Sequence, residues 1–252
     1  MLLDTHVHLA SFNNIAEIIE NAKKNQINAI IAVGGNLESS IKTLEIAQQY
    51  PRYVFPGIGL HPSEILKEKI QENLRLIKEK SSEAVCIGEI GLDYSYSFAQ
   101  REENREMQRK FFKELLIVAR NVELPVSLHS RSAYSDSLQL LLKYGPERAV
   151  FHWYDGPIDL LQEILDEGFY VSATPALEYS KEHRLVLENT PLDRILVETD
   201  SPIYLRSLKR RSEPSDVLLT VKELALIKGQ DLEETIKVTG NNALKLFDKI
   251  KI

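Results

Sequence analysis

The sequence predicts a closed eight-stranded α/β barrel, a (β/α)8 or TIM barrel, in one domain covering residues 1–252 and ending in a helical segment. Three observations carry this expectation. Short β-branched runs alternate with longer stretches of helical period, eight such runs can be counted, and no Pro/Gly-rich or low-complexity linker interrupts them. The 252 residues also match the ~250 typical of one such barrel. An open doubly wound sheet is the competing architecture, but it rarely needs eight strands in so regular a series. It would also place G-x-G-x-x-G after its first strand, and that fingerprint is absent, Gly34-Gly35 reading as a turn.

In chain order, the candidate strands are Leu2-Leu3-Asp4, Ala29 to Val33, Tyr53-Val54-Phe55, Ala84 to Ile87, Val126-Ser127-Leu128, Ala149-Val150-Phe151, Phe169-Tyr170-Val171 and Ile195-Leu196-Val197. Crossover helices are read at Ile15 to Asn25, Glu102 to Asn121 and Ile158 to Glu167. The first of these places Ile15, Ile18, Ile19 and Ala22 on one face. Beyond Glu213 the pattern is helical, with a packing role expected for Asn242, Leu246 and Phe247.

Hydrophobic residues make up 43% and charged residues 27%, a balance that suits a folded globular chain and excludes disorder. The formal charge of −6 argues against a broad basic field for duplex nucleic acid but leaves room for a local phosphate site. Lys209-Arg210-Arg211 is the one dense basic run, and reads equally as a solvated loop or a substrate contact. Only Met1-Leu2-Leu3 precede Asp4, and no long apolar run follows, so we expect a cytoplasmic protein with no membrane segment. The lone Cys86 lies in an apolar run and is expected to be a buried small hydrophobe in a reducing compartment.

The strongest chemical signal is Asp4-Thr5-His6-Val7-His8. Two histidines separated by one residue on a strand share a face, and two imidazoles pointing the same way suit a borderline metal ion. Alone, H-x-H is a moderate signal. The other polar residues sharpen it, because His61, Glu89, His129, His152 and Asp200 all fall at predicted strand ends, and of six histidines only His183 does not. In a barrel those ends converge on one mouth, where active sites form. The proline after His61 marks a turn, so contact with a ligand-holding residue or with substrate is as good a reading there as ligation.

These motifs resemble the TatD-type metal-dependent deoxyribonucleases, within the wider amidohydrolase-like barrels. The matching stretches are Asp4 to Leu9, Gly59-Leu60-His61-Pro62, Gly88 to Tyr94, Pro125 to Arg131, Phe151-His152, Glu198 to Pro202 and Arg211-Ser212-Glu213-Pro214. The resemblance implies that His6 and His8 hold one metal with Glu89 and Asp200, and that His129 and His152 hold a second, Glu89 bridging both. Two departures bear on substrate. Trp153-Tyr154-Asp155-Gly156 replaces the usual small residue, aromatic and Ser-Gly, and the segment between Pro202 and Arg211 is shorter than usual.

The expected activity is phosphodiester hydrolysis by a metal-activated water, with Asp200 orienting it and accepting its proton and Glu89 as its catalytic partner. The expected substrate is single-stranded DNA trimmed from an end. Two divalent ions are implied, zinc, manganese or magnesium all being compatible with imidazole and carboxylate ligands. Arg131 or Arg211 is a candidate phosphate contact, each competing with a surface salt bridge. Tyr94, Trp153 and Tyr154 are candidate stacking residues, each competing with ordinary packing. The alternatives are a small-molecule hydrolase acting on phosphoesters, lactones or amides, and a metal-stabilised binding protein without catalysis.

Overall fold

The computed structural model describes residues 1–66 and 69–252. Its eight long strands are β1 (Leu2–Val7), β2 (Ile27–Gly34), β3 (Val54–Leu60), β4 (Cys86–Gly91), β5 (Val126–His129), β6 (Ala149–Phe151), β7 (Tyr170–Ala173) and β8 (Ile195–Val197). They form one parallel sheet in sequence order. The ends meet: His8 N donates to Ser201 O at 2.8 Å, Asp200 N donates to His6 O at 3.0 Å, and Val7 bridges Ser201 in parallel. The predicted (β/α)8 barrel is therefore the observed one.

Helices alternate with the strands: α1 (Ile15–Lys24), α2 (Leu37–Gln49), α3 (Ile70–Lys80), α4 (Glu102–Asn121), α5 (Tyr134–Tyr144), α6 (Ile158–Asp166) and α7 (Lys181–Asn189), with α8 (Val217–Lys228) and α9 (Leu232–Leu246) at the end. α2 begins at a capping box, in which the Asn36 side chain accepts from Ser39 N at 2.9 Å. α4 keeps the predicted bounds, and β3 runs five residues beyond the predicted Phe55, which delivers His61 to the mouth. One short hairpin, β9 (Tyr204–Leu205) paired antiparallel with β10 (Arg210–Arg211), lies between Pro202 and Ser212, where the sequence predicts no strand.

Two packed clusters hold these elements. One joins Leu3, Ile31, Phe55, Cys86, Val150 and Leu196 to Leu246 and Phe247. Side chains from so many strands can touch one another only inside the barrel, and the end of α9 plugs it from below. The larger cluster packs the outward strand residues against the helices, with Ile18, Leu115, Leu138 and Val221 fully buried or nearly so. Asn242 does more than pack: its amide donates to the Leu192 and Ile195 carbonyls at 2.9 and 2.8 Å, fixing α9 to the base of β8. Among the described residues no helix is long and apolar enough to cross a membrane.

Candidate metal centre

Glu89 lies at the middle of the barrel mouth because its neighbours are stripped of side chains. A Cβ at Gly59 would fall 2.3 Å from the Glu89 carbonyl oxygen. One at Gly91, where φ is 148°, would fall 1.9 Å from the His129 carbonyl oxygen. Only glycine lets β3 and β5 close on β4 at this level.

The two Glu89 oxygens face different partners. Oε2 is 3.6 Å from His6 Nε2 and 3.4 Å from His8 Nε2. Oε1 is 2.7 Å from His129 Nδ1, 3.0 Å from His152 Nε2 and 3.5 Å from His61 Nε2. Asp200 Oδ1 completes the first set, 3.3 Å from His8 Nε2 and 3.8 Å from His6 Nε2. The backbone at Asp200 is left-handed, with φ 50°, a conformation that aspartate adopts more readily than most side chains.

Donors about 2.1 Å from a tetrahedral ion are roughly 3.4 Å apart, whereas charge-assisted hydrogen bonds run ~2.7–2.9 Å. The His6, His8, Glu89 and Asp200 atoms, 3.3–3.8 Å apart, are spaced for an ion. His6 Nε2 is buried and has no hydrogen-bond partner among the described residues, which is costly for a polar atom unless something else satisfies it. Three groups, His6–His8–Glu89, His61–Glu89–His129 and His6–His152–Glu198, have their ligand atoms within 4.8 Å of one another. The residues fit a metal.

Each inner imidazole except His8 is also held from behind. His6 Nδ1 lies 3.0 Å from Ser127 Oγ, His129 Nε2 lies 2.8 Å from Asp93 Oδ2, and His152 Nδ1 lies 3.0 Å from Glu198 Oε1. Asp93 is itself fixed: Ser95 N and Oγ reach its Oδ1 at 2.8 and 2.5 Å, and Gln108 of α4 bonds both its N–H and its C=O, at 2.7 and 2.8 Å. Such partners set ring orientation and leave the inward nitrogen free. Sequence reasoning assigned Asp93, Glu198 and Ser127 no role. All three nevertheless lie within motifs quoted there, and an unexplained acid four residues after Glu89 was the available signal.

The titration behaviour follows from this crowding. Burial pushes the Glu89 carboxyl up, but the His61 and His152 rings and hydrogen bonds from His129 and His152 outweigh it and hold it well below the usual range. Burial pulls His152 down, but the Glu89 charge and the bonds to Glu198 and Glu89 raise it well above an ordinary imidazole. His129 and His8 are raised in the same way against burial, by Asp93 with Glu89 and by Asp200 with Glu89 respectively. His61, where burial dominates, falls to about 4.

The mouth encloses a cavity of about 320 Å³ containing the centre together with Tyr96, Arg131, Tyr134, Trp153 and Asp155. His6, His8, His61, Glu89, His129, His152 and Asp200 are thus brought together, and Arg131 and Trp153 stand beside them. The Arg131 guanidinium lies 5.7 Å over the Trp153 ring. Trp153 has φ 43°, an uncommon conformation for so bulky a residue, and its N–H donates to Ser172 Oγ at 2.9 Å.

Three candidates, Tyr94, Arg211 and Tyr154, are placed elsewhere. Tyr94 is turned toward α4 and α5: its hydroxyl donates to Asp136 at 2.7 Å and accepts from Arg109 at 3.0 Å, with Arg105 over its ring at 4.7 Å. Tyr96 takes the place at the mouth expected of Tyr94. Arg211 sits on β10 and borders a separate cavity of about 370 Å³ with Asn13 and Pro202. Arg210 is not free in solvent, because its guanidinium bonds both Asp216 oxygens at 2.7 and 2.8 Å. Tyr154 is fully buried, with its hydroxyl on the Pro157 carbonyl at 2.8 Å.

A (β/α)8 barrel whose C-terminal mouth gathers imidazoles around a shared carboxylate at ion-binding distances defines the class of metal-dependent barrel hydrolases. The profile of the family described as TatD related DNase matches residues 3–248. The chain belongs to that family, as its motifs led us to expect. It is 32% identical over 262 residues to the human protein named deoxyribonuclease TATDN3, covering 99% of this chain and 96% of that protein. It is also 32% identical over 253 residues to a Methanocaldococcus jannaschii protein described as an uncharacterized metal-dependent hydrolase, covering 98% and 97%. The fold matches the crystal structure of YjjV, a TatD homologue from Escherichia coli, with a TM-score of 0.88 at 24% identity over 98% of both chains.

Proposed function

We propose that this protein is a metal-dependent phosphodiesterase that trims single-stranded DNA from an end, with residues 1–252 acting as one catalytic unit. The observation that carries the reading is the division of Glu89 between two donor sets, His6–His8–Asp200 on one oxygen and His129–His152 on the other. That division suits two divalent ions, zinc, manganese or magnesium. Relatives named as a deoxyribonuclease and as a metal-dependent hydrolase support the same chemistry.

Bound divalent ions supply charge stabilisation for phosphoryl oxygens and a nucleophile from water near neutral pH. Asp200, on the more open side of the cluster, orients the attacking water and takes its proton. Glu89 keeps both donor sets in register. Arg131, free of any ion pair among the described residues and braced on Trp153, offers its planar fork to a phosphate that does not react. Trp153 presents the apolar face on which a base stacks, and Tyr96 offers a second. The single cysteine, fully buried with its thiol pushed up to about 12 by that burial, suits a reducing cytoplasm.

The test is release of mononucleotides from an end-labelled single-stranded oligonucleotide with and without added divalent metal. Release is expected only with metal, and Glu89→Ala is expected to abolish it. Undiminished release by that variant would remove Glu89 from the mechanism. A second reading, a hydrolase of small phosphoesters, is favoured by the small cavity of about 320 Å³ and the charge of −6. A higher kcat/KM for a chromogenic phosphoester than for the oligonucleotide would establish it instead.

A further inference from the structure

The charges at the rim of the cavity are mixed in a way that cleavage of a polyanion alone does not explain. Arg131 contributes a cation, as a phosphate site requires, but Asp155 lines the same cavity. Its Oδ1 accepts a hydrogen bond from the Tyr134 hydroxyl at 2.5 Å, and no other hydrogen bond or ion pair to its side chain occurs among the described residues. One oxygen is therefore clamped, and the other has no hydrogen-bond partner among the described residues in a side chain that lines the cavity.

The clamp is well anchored. Tyr134 opens α5 and packs edge-on to the buried Tyr154 ring at 5.1 Å. Gly156 follows Asp155 where a Cβ would strike the Tyr154 hydroxyl at 2.7 Å. The carboxylate is thus fixed in place, and charge decides what it accepts. A phosphate beside it would set like charges together at close range, in a confined cavity where screening is weak. A hydroxyl donating to the open oxygen would instead make a charge-assisted hydrogen bond.

We propose that Asp155, positioned by Tyr134, reads the free sugar hydroxyl at the end of a nucleic-acid strand, and so selects strand ends for hydrolysis at the neighbouring centre. This rests on the phosphodiesterase reading and adds to it a residue that sets specificity. Arg131 and Asp155 then make opposite demands: the first is satisfied by an internal phosphate, the second only by a terminus that carries none. A cavity of about 320 Å³ holds little more than a single nucleotide, in keeping with recognition of one terminal unit.

The experiment uses the metal-loaded protein and four oligonucleotides of one sequence, whose 3′ and 5′ ends each carry either a hydroxyl or a phosphate. At one of the two ends, replacing hydroxyl by phosphate is expected to slow nucleotide release about tenfold or more, the size of a lost charge-assisted hydrogen bond. Asp155→Asn keeps an acceptor for Tyr134 and removes the charge, so the preference should shrink to about threefold or less. Metal content equal to wild type shows that the variant retains its centre. Equal rates on all four substrates, or an undiminished preference in Asp155→Asn, would overturn end recognition while leaving the phosphodiesterase reading intact. Release from none of the four would overturn both.

Discussion

The Asp4 carboxylate clasps Thr199: Oδ1 accepts the Thr199 N–H at 2.9 Å and Oδ2 accepts its hydroxyl at 2.6 Å. All of these groups are buried. The contact spans 195 positions of sequence and joins the strand that carries His6 and leads into His8 to the segment that carries Glu198 and Asp200. Asp4→Ala would leave a buried N–H and hydroxyl without this acceptor. We expect a loss on the order of 3 kcal/mol in unfolding free energy, read from denaturant midpoints of the metal-free protein. A change below about 0.5 kcal/mol, within the range of ordinary surface substitutions, would show that the clasp is not structural.

Asp93→Asn tests the support behind His129. The amide fills the same space but no longer holds the outer imidazole nitrogen with a negative charge, and changes to such partners typically weaken metal affinity ~10–100-fold. In competition with a chromogenic chelator, we expect one class of ion to weaken by that factor and the class held by His6 and His8 to keep its affinity. Uniform weakening of both classes would assign Asp93 to general stability.

Ion capture should depend on pH with a definite sign. His8, His129 and His152 are raised above an ordinary imidazole by their carboxylate neighbours, against the pull of burial, so the empty centre holds protons that an ion must displace. Apparent affinity is expected to rise between pH ~6 and ~8, with protons released on binding. Calorimetry in buffers of differing ionisation enthalpy measures that release. The metal-free fold has the opposite dependence, because stabilisation from a raised imidazole is complete below its unfolded value of ~6.5 and is lost as pH climbs through the folded one. Affinity independent of pH would contradict the charge arrangement.

Tyr94→Phe removes the hydroxyl shared by Asp136 and Arg109 without touching the cavity. KM for an oligonucleotide should remain within about twofold of wild type while stability drops by ~1 kcal/mol. Trp153→Ala should raise that KM by the loss of one stacked base, ~1–3 kcal/mol or about five- to 150-fold. The reverse ranking would return Tyr94 to the substrate path.

Much of this was legible in the sequence because a barrel converts strand ends into neighbours. Once eight strands were counted, His6, Glu89, His129, His152 and Asp200 had to share a mouth, and the structure places them there. Tyr94 stayed open between stacking and packing because sequence position gives proximity along the chain and not rotamer, and Asp136, Arg109 and Arg105, which hold it between α4 and α5, carry no signal linking them to it. Asp93, Glu198 and Ser127 were missed for a related reason. A residue that holds a ligand from behind has no spacing of its own and is recognised only by which nitrogen it meets. The hairpin at Tyr204 to Arg211 was invisible because two-residue strands fall below any periodicity.

The barrel seam, where β1 meets the chain beyond β8, has a consequence for biosynthesis. The donors on one side of Glu89 come from residues 6, 8 and 200, so a nascent chain released from the ribosome only as far as β7 carries both histidines but no complete cage. An ion held by the proposed set of His6, His8 and Asp200 would find all three of those donors only after about four-fifths of the protein has emerged, which would place metal acquisition late in synthesis.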